Sequence, residues 1–169
     1  LIEGKGEGGK RTLLDAVRAA SLREAFFTPS PAQPEPHTTG NAVRKDAGWR
    51  LSGSERPSAC LVSVPDEPYG ASLRLRPGSR PSALGLSARV GAESGLLPLE
   101  DQRLWDGTWH RLGLLVTPNW VSVTLDGELL RRAPRTGFRP NPEAGLEGFG
   151  VAVWGGELEV QSLKVQALR

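Results

Sequence analysis

Glu157, Glu159 and Gln161 occupy alternate positions in the stretch Glu157-Leu158-Glu159-Val160-Gln161. On a β-strand such side chains point the same way. Two carboxylates so placed could act as the nucleophile and acid/base of a retaining glycosidase, which requires a short separation between them. Gln161 stands where a third acid would help, and both glutamates lie opposite Leu158 and Val160. A solvated acid pair at a strand start is the simpler reading, and no catalytic residue is assigned. His37 and His110 are too few for a histidine metal centre or a catalytic pair, and the parity of His110 with Leu112 and Leu114 turns it toward the interior. Asp66-Glu67 and Glu100-Asp101 could join a calcium site, which wants several oxygen ligands, although no dense Asp/Asn run accompanies them. No other cofactor is expected. The glycine-rich stretch at 4–14 fails as a phosphate loop, because Arg11 rather than Ser or Thr follows Lys10.

Arginine and tryptophan form the richest constellation. If Leu73/Leu75, Leu84/Leu86, Val121/Val123 and Val151/Val153 face the interior, then Arg74, Arg76, Arg89, Arg111, Trp120 and Trp154 face outward. Arginine offers a planar donor fork to carboxylate, sulfate or sugar hydroxyls, and tryptophan a flat apolar platform. These six residues make a ligand-binding surface only if their strands share one sheet. Spread over two sheets, the arginines are solvated outer-face residues.

The elements that must position these groups are strands. Trp105 to Val116, then Thr117-Pro118-Asn119, then Trp120 to Leu130 reads as three antiparallel strands in succession. Pro118 and Asn119 suit the first turn, and Asp126-Gly127 supplies the positive φ that a two-residue hairpin needs. Further strands are expected at 48–52, 59–64, 71–76, 82–90, 96–99, 148–154 and 157–168. In the last one the apolar parity changes, from even at Leu158 and Val160 to odd at Leu163, Val165 and Ala167. A bulge near Gln161-Ser162 reconciles the two. Ahead of these strands, residues 1–27 read as a flexible leader and a helical arm. The helix is expected over Thr12–Phe27, opened by a Thr12/Asp15 capping box. Residues 28–40 read as a Pro-rich linker, and residues 41–169 as the β domain.

Composition fits this picture. The chain of 169 residues carries a net charge of +2, 21 glycines and 14 prolines, which suits a turn-rich domain and gives no strong field toward nucleic acid. No apolar run is long enough for membrane insertion. Cys60, the single cysteine, can form no intrachain disulfide and reads as a small buried hydrophobe.

Asp106-Gly107-x-Trp109-His110-x-Leu112, followed by Val123-Thr124-Leu125-Asp126-Gly127, resembles the signature of laminin-G-like and thrombospondin N-terminal-like modules. These belong to the concanavalin A-like jelly rolls. Gly48-Trp49-Arg50-Leu51 is also similar to bacterial jelly rolls of the keto-disaccharide-hydrolase type. The resemblance covers about Asn41 to Arg169 and lacks the C-terminal cysteines of laminin-G modules. It implies an antiparallel β-sandwich and favours an extracellular or cell-surface, multidomain setting. In the motif, Asp106 is expected to cap the turn before the strand and Trp109 to plug the core. The expected role is a non-catalytic recognition module that contacts glycan or protein through a sheet face or loops. The alternatives are a carbohydrate-active hydrolase of the same fold, and an assembly domain whose N-terminal helix docks on a partner.

Overall fold

The computed structural model describes residues 33–78, 80–137 and 146–168. The helix expected at Thr12–Phe27, the leader and the first part of the linker lie outside the described residues. Among those described, the regular structure is β-strand, with two short 3-10 turns at Gln102–Trp105 and Arg135–Gly137. The strands are β1 (His37–Thr39), β2 (Asn41–Lys45), β3 (Gly48–Ser52), β4 (Ser58–Val62), β5 (Tyr69–Pro77) and β6 (Ala83–Val90). They continue with β7 (Glu93–Pro98), β8 (His110–Val116), β9 (Trp120–Leu125), β10 (Glu128–Pro134), β11 (Phe149–Trp154) and β12 (Glu157–Ala167).

They form two sheets. One has five strands in the order β1-β4-β11-β6-β7, and the other seven in the order β10-β9-β8-β5-β12-β3-β2. All pairings are antiparallel. The chain crosses repeatedly from one sheet to the other, so sequence neighbours such as β4, β5 and β6 alternate between layers. This gives a mostly β, two-layer antiparallel sandwich.

Alternation builds the interior. Leu73 and Leu75 of β5, Leu112 and Leu114 of β8, and Val121 and Val123 of β9 meet Leu84, Leu86, Val151 and Val153 of the opposite sheet in one buried cluster. Cys60 lies in it with no exposed surface, and burial pushes its thiol up to about 12 despite the opposing charge of Arg44. In β12 the register shifts between Gln161 and Lys164, and Ser162 takes a φ of 59°. That bulge puts Leu158, Val160, Leu163 and Val165 all in the core, as the parity change requires.

Two strands begin earlier than the sequence suggests. His37–Thr39 pairs with Ala59–Leu61 at the edge of the small sheet, inside the stretch expected to be linker. β2 pairs with β3 at the edge of the large one. Edge strands are buried on few sides and need no apolar alternation, so His37-Thr38-Thr39 and Asn41-Ala42-Val43-Arg44-Lys45 carry little signal.

Candidate functional site

The outer face of the seven-stranded sheet gathers most of the candidate residues. Arg74 and Arg76 leave it from β5 and Arg111 from β8, opposite in parity to the buried leucines beside them. Register then fixes their neighbours. In one row across the sheet, Arg111 pairs with Arg74, Arg74 with Gln161, Gln161 with Gly48, and Gly48 with Lys45. In the next row, Arg76 pairs with Glu159, Glu159 with Arg50, and Arg50 with Val43. At ~4.8 Å between strands, the row from Arg111 to Lys45 spans roughly 19 Å. Further along this sheet the outward residues Ser122 and Thr124 are buried, so the open part of the face runs from β8 to β2.

The second row is internally neutralised. Glu159 accepts from Lys45 Nζ at 2.6 Å and from Arg76 Nε at 3.1 Å, and Arg50 lies 3.7 Å away. The Lys45 hydrogen bond, opposed by desolvation and reinforced by Arg76, holds the Glu159 carboxyl below the usual range. An acid so held is no proton donor, and the ion pairs to Lys45 and Arg76 occupy both oxygens that a nucleophile would need free, which weighs against the Glu157/Glu159 pair as glycosidase machinery. Glu157 is exposed at the start of β12.

The first row is different. Arg74 and Arg111 are both exposed, and neither guanidinium makes a hydrogen bond or ion pair among the described residues. Arg74 is nevertheless placed. Its guanidinium carbon lies 5.1 Å from the centre of the Trp109 ring, and that of Arg76 lies at the same distance. Trp109 is therefore not the core plug expected from its size. It is half-buried just before β8 begins, and shares the outward parity of Arg111. Strand geometry outweighed the preference of a large aromatic ring for the interior.

The segment carrying Trp109 and Arg111 is clamped from beneath. His110, inward-facing and buried, lies with Nδ1 2.6 Å from Asp126 Oδ2 and Nε2 2.7 Å from Asp106 Oδ1. Ionised carboxylates only accept, so both ring nitrogens donate and the ring is an imidazolium. Burial opposes that charge, but the hydrogen bonds to Asp126 and Asp106 outweigh it and raise the pKa above the ordinary 6.5. Asp106 also accepts from Thr108 N at 3.0 Å, and the Thr108 and His110 bonds hold its carboxyl down at about 2. Asp126 sits in the β9–β10 turn at φ 51° and accepts the Arg111 backbone N–H at 2.8 Å.

The remaining candidates lie elsewhere. Trp120 shares the large sheet, but at the far end of β9, with the Arg132 guanidinium carbon 3.8 Å above its ring. Six residues of strand, roughly 20 Å, separate it from the Arg111 end. Trp154 and Arg89 belong to the five-stranded sheet. Trp154 packs on an outer apolar cluster of Ala59, Leu61, Leu146 and Ala152. Arg89 donates to the Pro65 carbonyl at 3.1 Å and lies 3.7 Å from Asp66, tying down a loop. The six therefore do not form one surface: Arg74, Arg76 and Arg111 come together, and Trp120, Arg89 and Trp154 do not join them. Sequence reading missed Arg50, Lys45 and the outward Trp109. The parity of Arg50 against Trp49 and Leu51 was a usable signal for the first of these.

Two of the four suggested calcium acids, Glu67 and Asp101, are engaged by other groups. Glu67 accepts from Arg135 and from the Gly91 N–H, and Asp101 pairs with Arg103 at 2.9 Å. Among the described residues, no group of three or more His, Cys, Asp or Glu side chains is arranged to hold a metal.

The sandwich fold has structural counterparts. The fold is similar to carbohydrate-binding module CBM66 from Bacillus subtilis (TM-score 0.53, 12% identity, 80% of this chain and 97% of that one). It is similar also to a putative glycosyl hydrolase from Parabacteroides distasonis (TM-score 0.52, 12% identity, 76% and 83%). A third is a protein of unknown function with a galectin-like fold from Bacillus subtilis (TM-score 0.50, 10% identity, 78% and 89%). No family model matches the chain, and no curated protein matches its sequence. At these identities the likeness establishes the sandwich fold, and the site must be argued from its own residues.

Proposed function

We propose that this domain is a non-catalytic glycan-binding module, and that it binds through the outer face of the seven-stranded sheet, around Arg74, Arg76, Arg111 and Trp109. The single observation behind this reading is the pair of solvent-facing guanidiniums of Arg74 and Arg111, neither hydrogen-bonded nor ion-paired among the described residues and one of them pre-positioned on an aromatic ring. Fixing a donor before the ligand arrives lowers the ordering cost of binding. The carbohydrate-binding neighbour of the same fold agrees with this assignment.

A hydrolase of this fold is the competing reading, favoured by the glycosyl hydrolase neighbour. Its carboxylates would be Glu157 and Glu159, and the ionic ties of Glu159 count against it.

The test is a glycan microarray probed with the intact chain, with Arg74→Ala, Arg111→Ala and the Arg74→Ala/Arg111→Ala double variant, and with Arg56→Ala in an exposed loop as a control matched in charge to each single variant. The reading expects spots bound by the parent and the control and lost by the double variant. Equal binding by all of them moves the site off this face. Release of reducing ends from a bound glycan, abolished by Glu159→Gln, favours the hydrolase.

A further inference from the structure

We propose that the glycan recognised on this face is acidic, and that one of its carboxylate or sulfate groups sits between Arg74 and Arg111. The inference rests on the glycan-binding reading and adds the charge of the ligand.

Two adjacent rows of one sheet make the argument. In the Arg76 row, the residue opposite on β12 is Glu159, and its carboxylate gathers Arg76, Lys45 and Arg50. In the Arg74 row, the residue opposite on β12 is Gln161, which is neutral. Arg74 instead faces Arg111, a second cation, on its other side. Like charges directly opposed across strands destabilise a sheet. Asp126, the acid at the end of this row, turns its carboxylate to His110 and to the Arg111 backbone N–H. Among the described residues, no carboxylate in this row is turned to the Arg74 or Arg111 guanidinium, whereas Arg76 and Lys45 share Glu159 in the row beside it.

The chemistry of the missing partner follows from the donor set. Guanidinium groups only donate, and they match planar oxyanions with paired hydrogen bonds. A sugar hydroxyl both donates and accepts, so a neutral glycan is better served by a mixed set of side chains. An ionised carboxylate or sulfate only accepts, and it removes the repulsion between Arg74 and Arg111 as it binds. Phosphates of nucleic acid share this acceptor chemistry. The whole-chain charge of +2 and the shortness of the cationic row favour the polysaccharide.

Affinity electrophoresis of the intact chain tests this. The polymers are polygalacturonate (carboxylate only), dextran sulfate (sulfate only), neutral dextran, neutral galactan and a single-stranded oligonucleotide. We expect retardation by at least one acidic polysaccharide, weakened by added salt, and none by the neutral polymers. Arg74→Ala/Arg111→Ala should weaken it at least tenfold, and Arg56→Ala less than twofold. Gln161→Glu keeps both arginines, supplies the missing carboxylate from within, and should weaken binding similarly while the chain stays folded by circular dichroism. Neutral polymer bound equally well through the same arginines overturns the acidic ligand and leaves the glycan reading standing. An oligonucleotide bound more tightly than either acidic polysaccharide overturns it in favour of nucleic acid. Failure to bind polygalacturonate and dextran sulfate also overturns it, and the microarray then decides the glycan reading independently.

Discussion

Arg74 on β5 and Arg111 on β8 are direct cross-strand partners on the outer face of the large sheet, and no carboxylate within the described residues lies against either guanidinium. One row away, Arg76 and Glu159 are likewise direct partners and are bonded to each other. The two pairs share strand β5 and differ in whether the cation is answered.

An unanswered pair costs stability. Arg111→Thr should leave the fold unchanged or raise its unfolding free energy by about 0.2–1 kcal/mol, by removing a like-charge opposition. Urea denaturation at low salt measures it. A loss greater than about 1 kcal/mol would show that Arg111 supports the fold.

Trp109 is half-buried on the outer side of the sheet, so its removal should be mild. Trp109→Ala is expected to cost about 1–2 kcal/mol, from two cation–π contacts and partial burial, against ~3–5 kcal/mol for a core tryptophan. The same denaturation experiment decides, and a core-sized loss would restore the plug.

How far all this was readable from the sequence depends on which physical scale was involved. Alternation is local, so most strands from β3 to β12, the Asp126-Gly127 turn, the bulge at Ser162 and the inward His110 were legible, while β7 begins at Glu93 rather than Leu96 and β8 at His110 rather than Trp105. Parity also showed that Arg74, Arg76, Arg89, Arg111, Trp120 and Trp154 face outward. It could not show which sheet each strand joins, because strand order is set by pairings far apart in the chain. Arg89 and Trp154 were separated from the others by that alone. Trp109 was misplaced by weighing ring size above parity, and β1 and β2 were missed because edge strands need no apolar rhythm.

The His110 clamp makes stability depend on pH. The folded pKa of His110 is raised, so its contribution is fully present below 6.5 and fades as pH rises through the folded value. Asp106 is lowered from 3.8 to about 2, so its contribution is present above 3.8 and is lost as pH falls toward 2. The clamp's contribution to the unfolding free energy should therefore be flat between these limits and decline on both sides. His110→Gln should remove the alkaline decline and cost ~2 kcal/mol in the flat region. Denaturation across pH, with an NMR titration of the His110 ring, checks both. An alkaline decline that persists in His110→Gln would place its origin elsewhere.

Glu159 neutralises three cations, so Glu159→Gln should act in opposite senses on stability and on binding. Stability should fall by about 1 kcal/mol, a modest figure because Lys45, Arg50 and Arg76 are partly solvated. Retardation by the acidic polymer that the parent binds should increase, since Arg76 is released beside Arg74. Weaker retardation, with the fold intact, would mean that Glu159 itself touches the ligand.

The thiol of Cys60 is sealed in the core with its pKa at about 12. It should not react with a disulfide reagent in the native state at pH 8, and should react fully in denaturant. Rapid native labelling would mean that the layers around β4 open readily.

The central claim is that ligand binds on the open face of the large sheet, at the Arg74–Arg111 pair. The most direct measurement is an NMR titration of the 15N-labelled chain with an oligogalacturonate, following the backbone amides, the arginine Nε–H signals and the tryptophan indoles. Shifts centred on Arg74, Arg111 and the Trp109 indole, with Trp154 and Arg89 unmoved, are the result expected. Shifts centred on the five-stranded sheet or on the loops at the ends of the sandwich would contradict it.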